Sequence, residues 1–141
     1  MEQPIEAPQN QRTILVVDDD PAVLKCVSAI LAGDDYRVLT ASSGADALRR
    51  SREYKSEIHL LLTDFQMPTM SGIELATQMS VERPRLKVLM MSGFTGGMLV
   101  LNEGWHFLAK PFVCSQLRAL ILGLVFPDKN FRFSDAHQSA T

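Results

Sequence analysis

The stretch that most restricts the fold is Thr13-Ile14-Leu15-Val16-Val17, which is β-branched and apolar until it breaks off in Asp18-Asp19-Asp20-Pro21. A run with no polar alternation suits a strand buried on both faces, and such strands belong to parallel sheets. Parallel neighbours need crossover connections, usually helices. The rest of the chain supplies them. Val23, Leu24, Val27, Ile30 and Leu31 fall on one helical stripe, with Asp20 as N-cap, Pro21 opening the helix and Gly33 at its end. Tyr36 to Ala41 reads as a second strand. Ser43 and Asp46 then cap a short helix over about Gly44 to Glu53.

Ile58 to Thr63 is a third apolar strand, ending at Asp64. Ser71-Gly72-Ile73-Glu74 forms a capping box and opens a helix to about Glu82. Lys87 to Met91 is a fourth strand, closed by Ser92-Gly93. Phe107-Leu108-Ala109 is a brief fifth strand before Lys110-Pro111, and Leu117, Leu120, Ile121 and Leu124 mark a last helix. The alternation predicts an α/β fold. It is a single-domain, doubly wound, five-stranded parallel sheet with helices on both faces. The expected boundaries are a disordered lead-in over residues 1–12, one domain over 13–126 and a flexible tail over 127–141.

Composition narrows the function classes. A net charge of −2 gives no electrostatic reason for direct nucleic-acid binding. No apolar run approaches the roughly 20 residues of a membrane span, and the polar, Pro-bearing start lacks a signal-peptide core. These features predict a cytoplasmic protein. Two cysteines, Cys26 and Cys114, are too few for a disulfide scaffold and are expected as buried thiols in helices. His59, His106 and His137 have no partner spacing, and the seven methionines are expected to fill core gaps.

The chemistry lies at the carboxyl ends of the strands. Asp18 and Asp19 end the first, Asp64 the third, Ser92 the fourth and Lys110 the fifth. Ligands of open parallel sheets sit outside those ends, where strand order reverses. With order 2-1-3-4-5, that crevice lies between the first and third strands and gathers the three acids. Carboxylates about 4 Å apart repel by roughly 1 to 4 kcal/mol per pair, so such a cluster calls for a cation. An all-oxygen donor set without nearby Cys or His favours Mg²⁺ over zinc. A carboxylate nucleophile, a metal, the Lys110 ammonium and the Ser92 hydroxyl together make a phosphoryl-transfer site. Asp20 is expected to act only as a cap.

Four segments in order, Val16-Val17-Asp18-Asp19, Thr63 to Gly72, Met91-Ser92-Gly93 and Phe107 to Phe112, resemble the signature of response-regulator receiver domains over about Thr13 to Phe126. The resemblance implies Asp64 as phosphoacceptor, taking its phosphoryl group from a sensor histidine kinase or a phosphotransfer protein. It implies a Mg²⁺ site of Asp19, of Asp18 mainly through water, of Asp64 and of the Gln66 backbone carbonyl. It also implies Ser92 and Lys110 as phosphoryl contacts, Phe107 as the aromatic switch and a cis Lys110-Pro111 peptide. Such a protein assists its own phosphorylation and dephosphorylation and is not a dedicated enzyme.

Several features depart from that pattern or add to it. The segment between Ser92 and Lys110 is short by about one helical turn of roughly 3.6 residues and holds Gly96, Gly97 and Gly104. This puts the usual switch output in question and keeps open a phosphate-independent interaction module. Phe94, like Gln66, stands near the expected path of attacking water and is expected to slow hydrolysis. Gln66 also argues against a phosphohydrolase, which would need a second acid there. Leu122, Val125 and Phe126 lie off the main stripe of the last helix and suggest a homodimer or partner surface. The tail is too short for an output module, so signalling is expected through an unidentified protein partner, or from a receiver piece of a longer chain.

Overall fold

The structure is a computed structural model that describes residues 11–93 and 105–127. Five strands, β1 (Thr13–Val17), β2 (Arg37–Ala41), β3 (Leu60–Asp64), β4 (Lys87–Ser92) and β5 (Trp105–Ala109), form one parallel sheet in the order β2-β1-β3-β4-β5. The described helices are α1 (Pro21–Gly33), α2 (Gly44–Glu53), α3 (Gly72–Glu82) and α4 (Cys114–Val125). This is the expected architecture and strand order.

Side chains alternate across each strand, so one sheet supplies two cores. Leu15, Val17, Leu61, Val88 and Met90 pack on the side of α2 and α3, with Leu75, Ala76 and Met79. Ile14, Val16, Leu60, Leu62, Leu89 and Met91 face the other side, with Val27 and Leu31 of α1 and Leu117 and Ile121 of α4. Every residue of β1 is buried, as its unbroken apolar run requires.

The N-caps hold, although the Asp46 carboxylate pairs with Arg49 and does not complete a box with Ser43. The Asp20 carboxylate accepts from the Ala22 amide at 2.9 Å and starts α1. Ser43 caps α2, and Ser71 and Glu74 complete a reciprocal capping box on α3. Gly33 closes α1 as expected, and the left-handed residue that follows the helix is Asp35, at φ 72°. Aspartate tolerates this region better than most residues. Strand β3 begins at Leu60 rather than Ile58, and β5 extends back to Trp105.

Two surface expectations are corrected. Cys26 and Cys114 are exposed, because their positions face away from the stripes that α1 and α4 bury. Val125 is buried at 5% exposure, and Phe126 packs partly against the same core with the Arg12 guanidinium 4.5 Å above its ring. Of the three residues expected as a contact surface, only Leu122 stands out, at 40% exposure. The expectations for residues 1–10, for Phe94 and the glycines of the 94–104 segment, and for residues 128–141 fall outside the described residues. Among the described residues, no helix is long and apolar enough to cross a membrane.

Candidate phosphoryl-transfer site

Parallel pairing aligns the carboxyl ends of β1, β3, β4 and β5 on one rim. Asp18 follows the last residue of β1, and its amide donates to Ala41 of β2 at 3.2 Å. Its side chain is buried at 1% exposure. Adjacent residues of an extended chain point opposite ways, and Asp19 is exposed. Asp64 closes β3 with its side chain 13% exposed. One carboxylate oxygen from each of Asp18, Asp19 and Asp64 lies within 4.8 Å of the others.

Lys110 crosses this cluster. Its Nζ lies 3.2 Å from Asp18 Oδ2 and 3.3 Å from Asp64 Oδ1. The other Asp18 oxygen accepts the Asp20 amide at 2.9 Å, so both Asp18 oxygens are held in place. The Lys110 amide donates to the Ser92 carbonyl at 2.7 Å, which ties the end of β5 to the end of β4. The Lys110-Pro111 peptide is cis, as expected.

The charges respond to one another. Burial pushes the Asp64 carboxyl above the ordinary aspartate value; Asp18 and Asp19 push it the same way, and Lys110 pulls it back. Burial works against the Lys110 ammonium, but Asp18 and Asp64 outweigh it and hold its pKa above the usual lysine value. The ammonium therefore stays charged at neutral pH.

Of the other expected residues, Phe94 lies outside the described residues, and Ser92, Phe107 and Gln66 lie on β4, on β5 and in the loop after β3. Ser92 ends β4 and is 2% exposed. Phe107 pairs with Met90 and packs, half-buried, against the α2 and α3 core. Gln66 is exposed in the β3–α3 loop. That loop contains a tight reversal, where the Met70 amide donates to the Pro68 carbonyl at 2.7 Å around Thr69 at φ 72°. This is the strained form of γ-turn, and a β-branched residue rarely takes it.

Sequence reading missed two contributors. The Asp20 amide orients Asp18, and Gly72 sits directly against the Asp64 backbone, where an added Cβ would collide with the Asp64 carbonyl oxygen. The only sequence signal for the second was a glycine placed immediately after the Ser71 N-cap.

Three clustered carboxylates with an adjacent ammonium, and no His or Cys in the cluster, form an all-oxygen donor set. Such a set fits a hard divalent cation that keeps part of its water shell. Asp64 is the partly exposed acid of the group that also touches Lys110, so it is chemically suited to attack an electrophile.

Comparison with known proteins agrees with this geometry. Residues 14–122 match the response regulator receiver domain. The chain is 34% identical over 111 residues to the two-component response regulator ORR24 of Oryza sativa subsp. indica, covering 76% of this chain and 18% of that protein. It is 31% identical over 123 residues to the probable transcriptional regulatory protein TcrX of Mycobacterium tuberculosis, covering 77% of this chain and 49% of that protein. The chain thus spans less than half the length of these relatives. A receiver domain protein of Clostridium thermocellum superposes with a TM-score of 0.74 at 28% identity, covering 85% of this chain and 98% of that one. With that match, the strand order and the shared rim of Asp18, Asp19 and Asp64, the chain belongs to the response regulator receiver domain family.

Proposed function

We propose that Asp64 accepts a phosphoryl group from a phosphohistidine on a sensor kinase or a phosphotransfer protein. The observation that carries this reading is the placement of Lys110 Nζ against both Asp18 and Asp64, inside a cluster of three carboxylates. In the transfer, an Asp64 oxygen forms the new P–O bond as the P–N bond of the donor breaks. The departing imidazole nitrogen keeps the electron pair and takes a proton from water. The Lys110 ammonium stabilises charge on the transferring oxygens, and Asp18 holds that ammonium in place. Asp18, Asp19, Asp64 and the Gln66 backbone carbonyl would hold Mg²⁺. When bound, Mg²⁺ offsets carboxylate repulsion and withdraws charge from the phosphoryl oxygens.

The new charge gives the switch its drive. The Ser92 hydroxyl and Lys110 are drawn toward the phosphoryl group, and Phe107 on the neighbouring strand repacks inward. The output is a changed surface presented to a protein partner in the cytoplasm. The protein promotes its own phosphorylation and dephosphorylation without turning over a separate substrate.

Incubation with Mg²⁺ and acetyl phosphate, followed by intact-mass measurement, tests the reading. The parent chain is expected to gain a phosphoryl adduct that Asp64→Asn lacks. Equal uptake by the two chains refutes the assignment. A dimer through α4 rests on Leu122, and light scattering with and without beryllofluoride tests it; a monomer in both states rules it out.

A further inference from the structure

We infer that Gly72 is a positioning residue for the acceptor segment, an inference that rests on the role proposed for Asp64. Four contacts converge there. The Phe65 amide donates to the Met91 carbonyl on β4 at 2.7 Å. The Phe65 carbonyl accepts the Gly72 amide at 2.8 Å. The Thr63 hydroxyl, fully buried, donates to the Asp64 carbonyl at 3.0 Å. The Cα of Gly72 approaches so closely that a Cβ would overlap the Asp64 carbonyl oxygen and crowd the Phe65 Cα.

The backbone from Asp64 to Phe65 is thereby held on two sides, by β4 and by the first turn of α3. The direction in which the chain leaves Phe65 sets where the Gln66 carbonyl points. The angle at which β3 ends sets where the Asp64 carboxylate points. The N-terminus of α3 is itself fixed, because the Ser71 hydroxyl and the Glu74 carboxylate satisfy each other's backbone amides at 3.1 and 3.0 Å. The capping box, Gly72 and the acceptor strand form one rigid bracket, and the absent side chain of Gly72 lets it close. Gly44 differs: the atoms nearest its added Cβ would be Sδ, Cβ and Cγ of Met70, not the backbone of the acceptor strand.

A side chain at position 72 must push α3 away from β3 or tilt the Asp64 peptide. Either shift disperses the oxygen donors. Loss of support for metal ligands typically weakens metal binding by about tenfold to a hundredfold.

The test compares the parent, Gly72→Ala, Ser71→Ala and Ile121→Val, the last trimming the opposite core as a control for stability alone. Mg²⁺ affinity is read by titration of backbone amide signals. Adduct formation is read with beryllofluoride, and amide hydrogen exchange at Phe65 is read without metal. Gly72→Ala is expected to weaken Mg²⁺ binding about tenfold and to speed exchange at Phe65, while Ile121→Val changes neither. Ser71→Ala loosens the same bracket without adding a Cβ, so it decides the matter if Gly72→Ala fails to fold; it is expected to weaken Mg²⁺ binding severalfold. Unchanged affinity in both bracket variants, alongside a parent that binds Mg²⁺, overturns the positioning role alone. A parent that neither binds Mg²⁺ nor takes the adduct overturns the Asp64 reading and this inference with it.

Discussion

Replacing Asp64 with Asn should make the metal-free protein more stable while abolishing its chemistry. The balance follows from distances. Asp64 faces oxygens of Asp18 and Asp19 within 4.8 Å. Each repulsion at that separation costs about 1 to 3.5 kcal/mol for an effective dielectric of about 80 to 20. The Lys110 ammonium at 3.3 Å returns about 1.3 to 5 kcal/mol on the same scale. Two repulsions exceed one attraction by about 0.5 to 2 kcal/mol, before the burial of Asp64 is counted. Asparagine has nearly the same shape and still offers Lys110 an acceptor. The expected gain in EDTA at pH 7 is therefore about 1 to 2 kcal/mol, a rise in melting temperature of roughly 4 °C or more. Mg²⁺ should invert the order. At a concentration about a hundredfold above its Kd, the cation adds about 2.7 kcal/mol to the parent, and less to a variant missing one ligand. Urea denaturation in EDTA and in excess Mg²⁺ measures both effects. A less stable Asp64→Asn in EDTA would refute the reasoning, because it would mean that Lys110 outweighs both acids.

Lys110→Met should act with the opposite sign, losing about 1 to 3 kcal/mol in EDTA because the buried Asp18 oxygen is left without its ammonium; a gain in stability would contradict the geometry. Arg83, at the end of α3, donates to Ser51 Oγ and to the backbone carbonyls of Ser51, Tyr54 and Ser56, so it braces α3 against the end of α2. Arg83→Ala should cost about 2 to 3 kcal/mol in thermal or urea unfolding, and a loss below about 0.5 kcal/mol would show that the brace is idle. The His59 Nδ1 accepts the buried Thr13 amide at 3.0 Å. Burial lowers the pKa of His59, Glu57 works against that, and Arg12 and Arg85 reinforce it. A lowered pKa means that the unfolded chain binds the proton more readily. The His59 contribution should thus be complete above about pH 6.5 and fall away as the pH drops through the folded-state value. Comparing the pH dependence of unfolding for the parent and His59→Asn checks this; an equal slope between pH 7.5 and 5.5 excludes it.

Local chemistry made most of the framework legible from sequence. The unbroken apolar run of β1, the Ser43 cap and the Ser71–Glu74 box each carry their own signal, and α2 and α3 begin where those caps place them. Asp18, Asp19, Asp64, Ser92 and Lys110 were legible as candidates because they stand where apolar strands stop, and parallel strands stop on one rim. Other features depend on partners distant in sequence. Asp18 and Asp19 are neighbours of the same residue type, yet only the sheet decides that the first is buried beside Lys110 and the second faces solvent. Cys26 and Cys114 were expected inside, but helix phase against the sheet turns them out. Val125 and Phe126 were expected outside, but Arg12 and the core cover them. The contacts of Arg83, which reach 27 to 32 positions along the chain, have no local signature, and those of Gly72 show locally only as a glycine beside the Ser71 cap. Sequence thus determined the elements, their order and the type of chemistry, through periodicity, capping and strand ends. Tertiary structure decided which carboxylate is desolvated, which ammonium it meets and which segment packs against the backbone of Asp64, because those depend on packing between segments that no local pattern encodes.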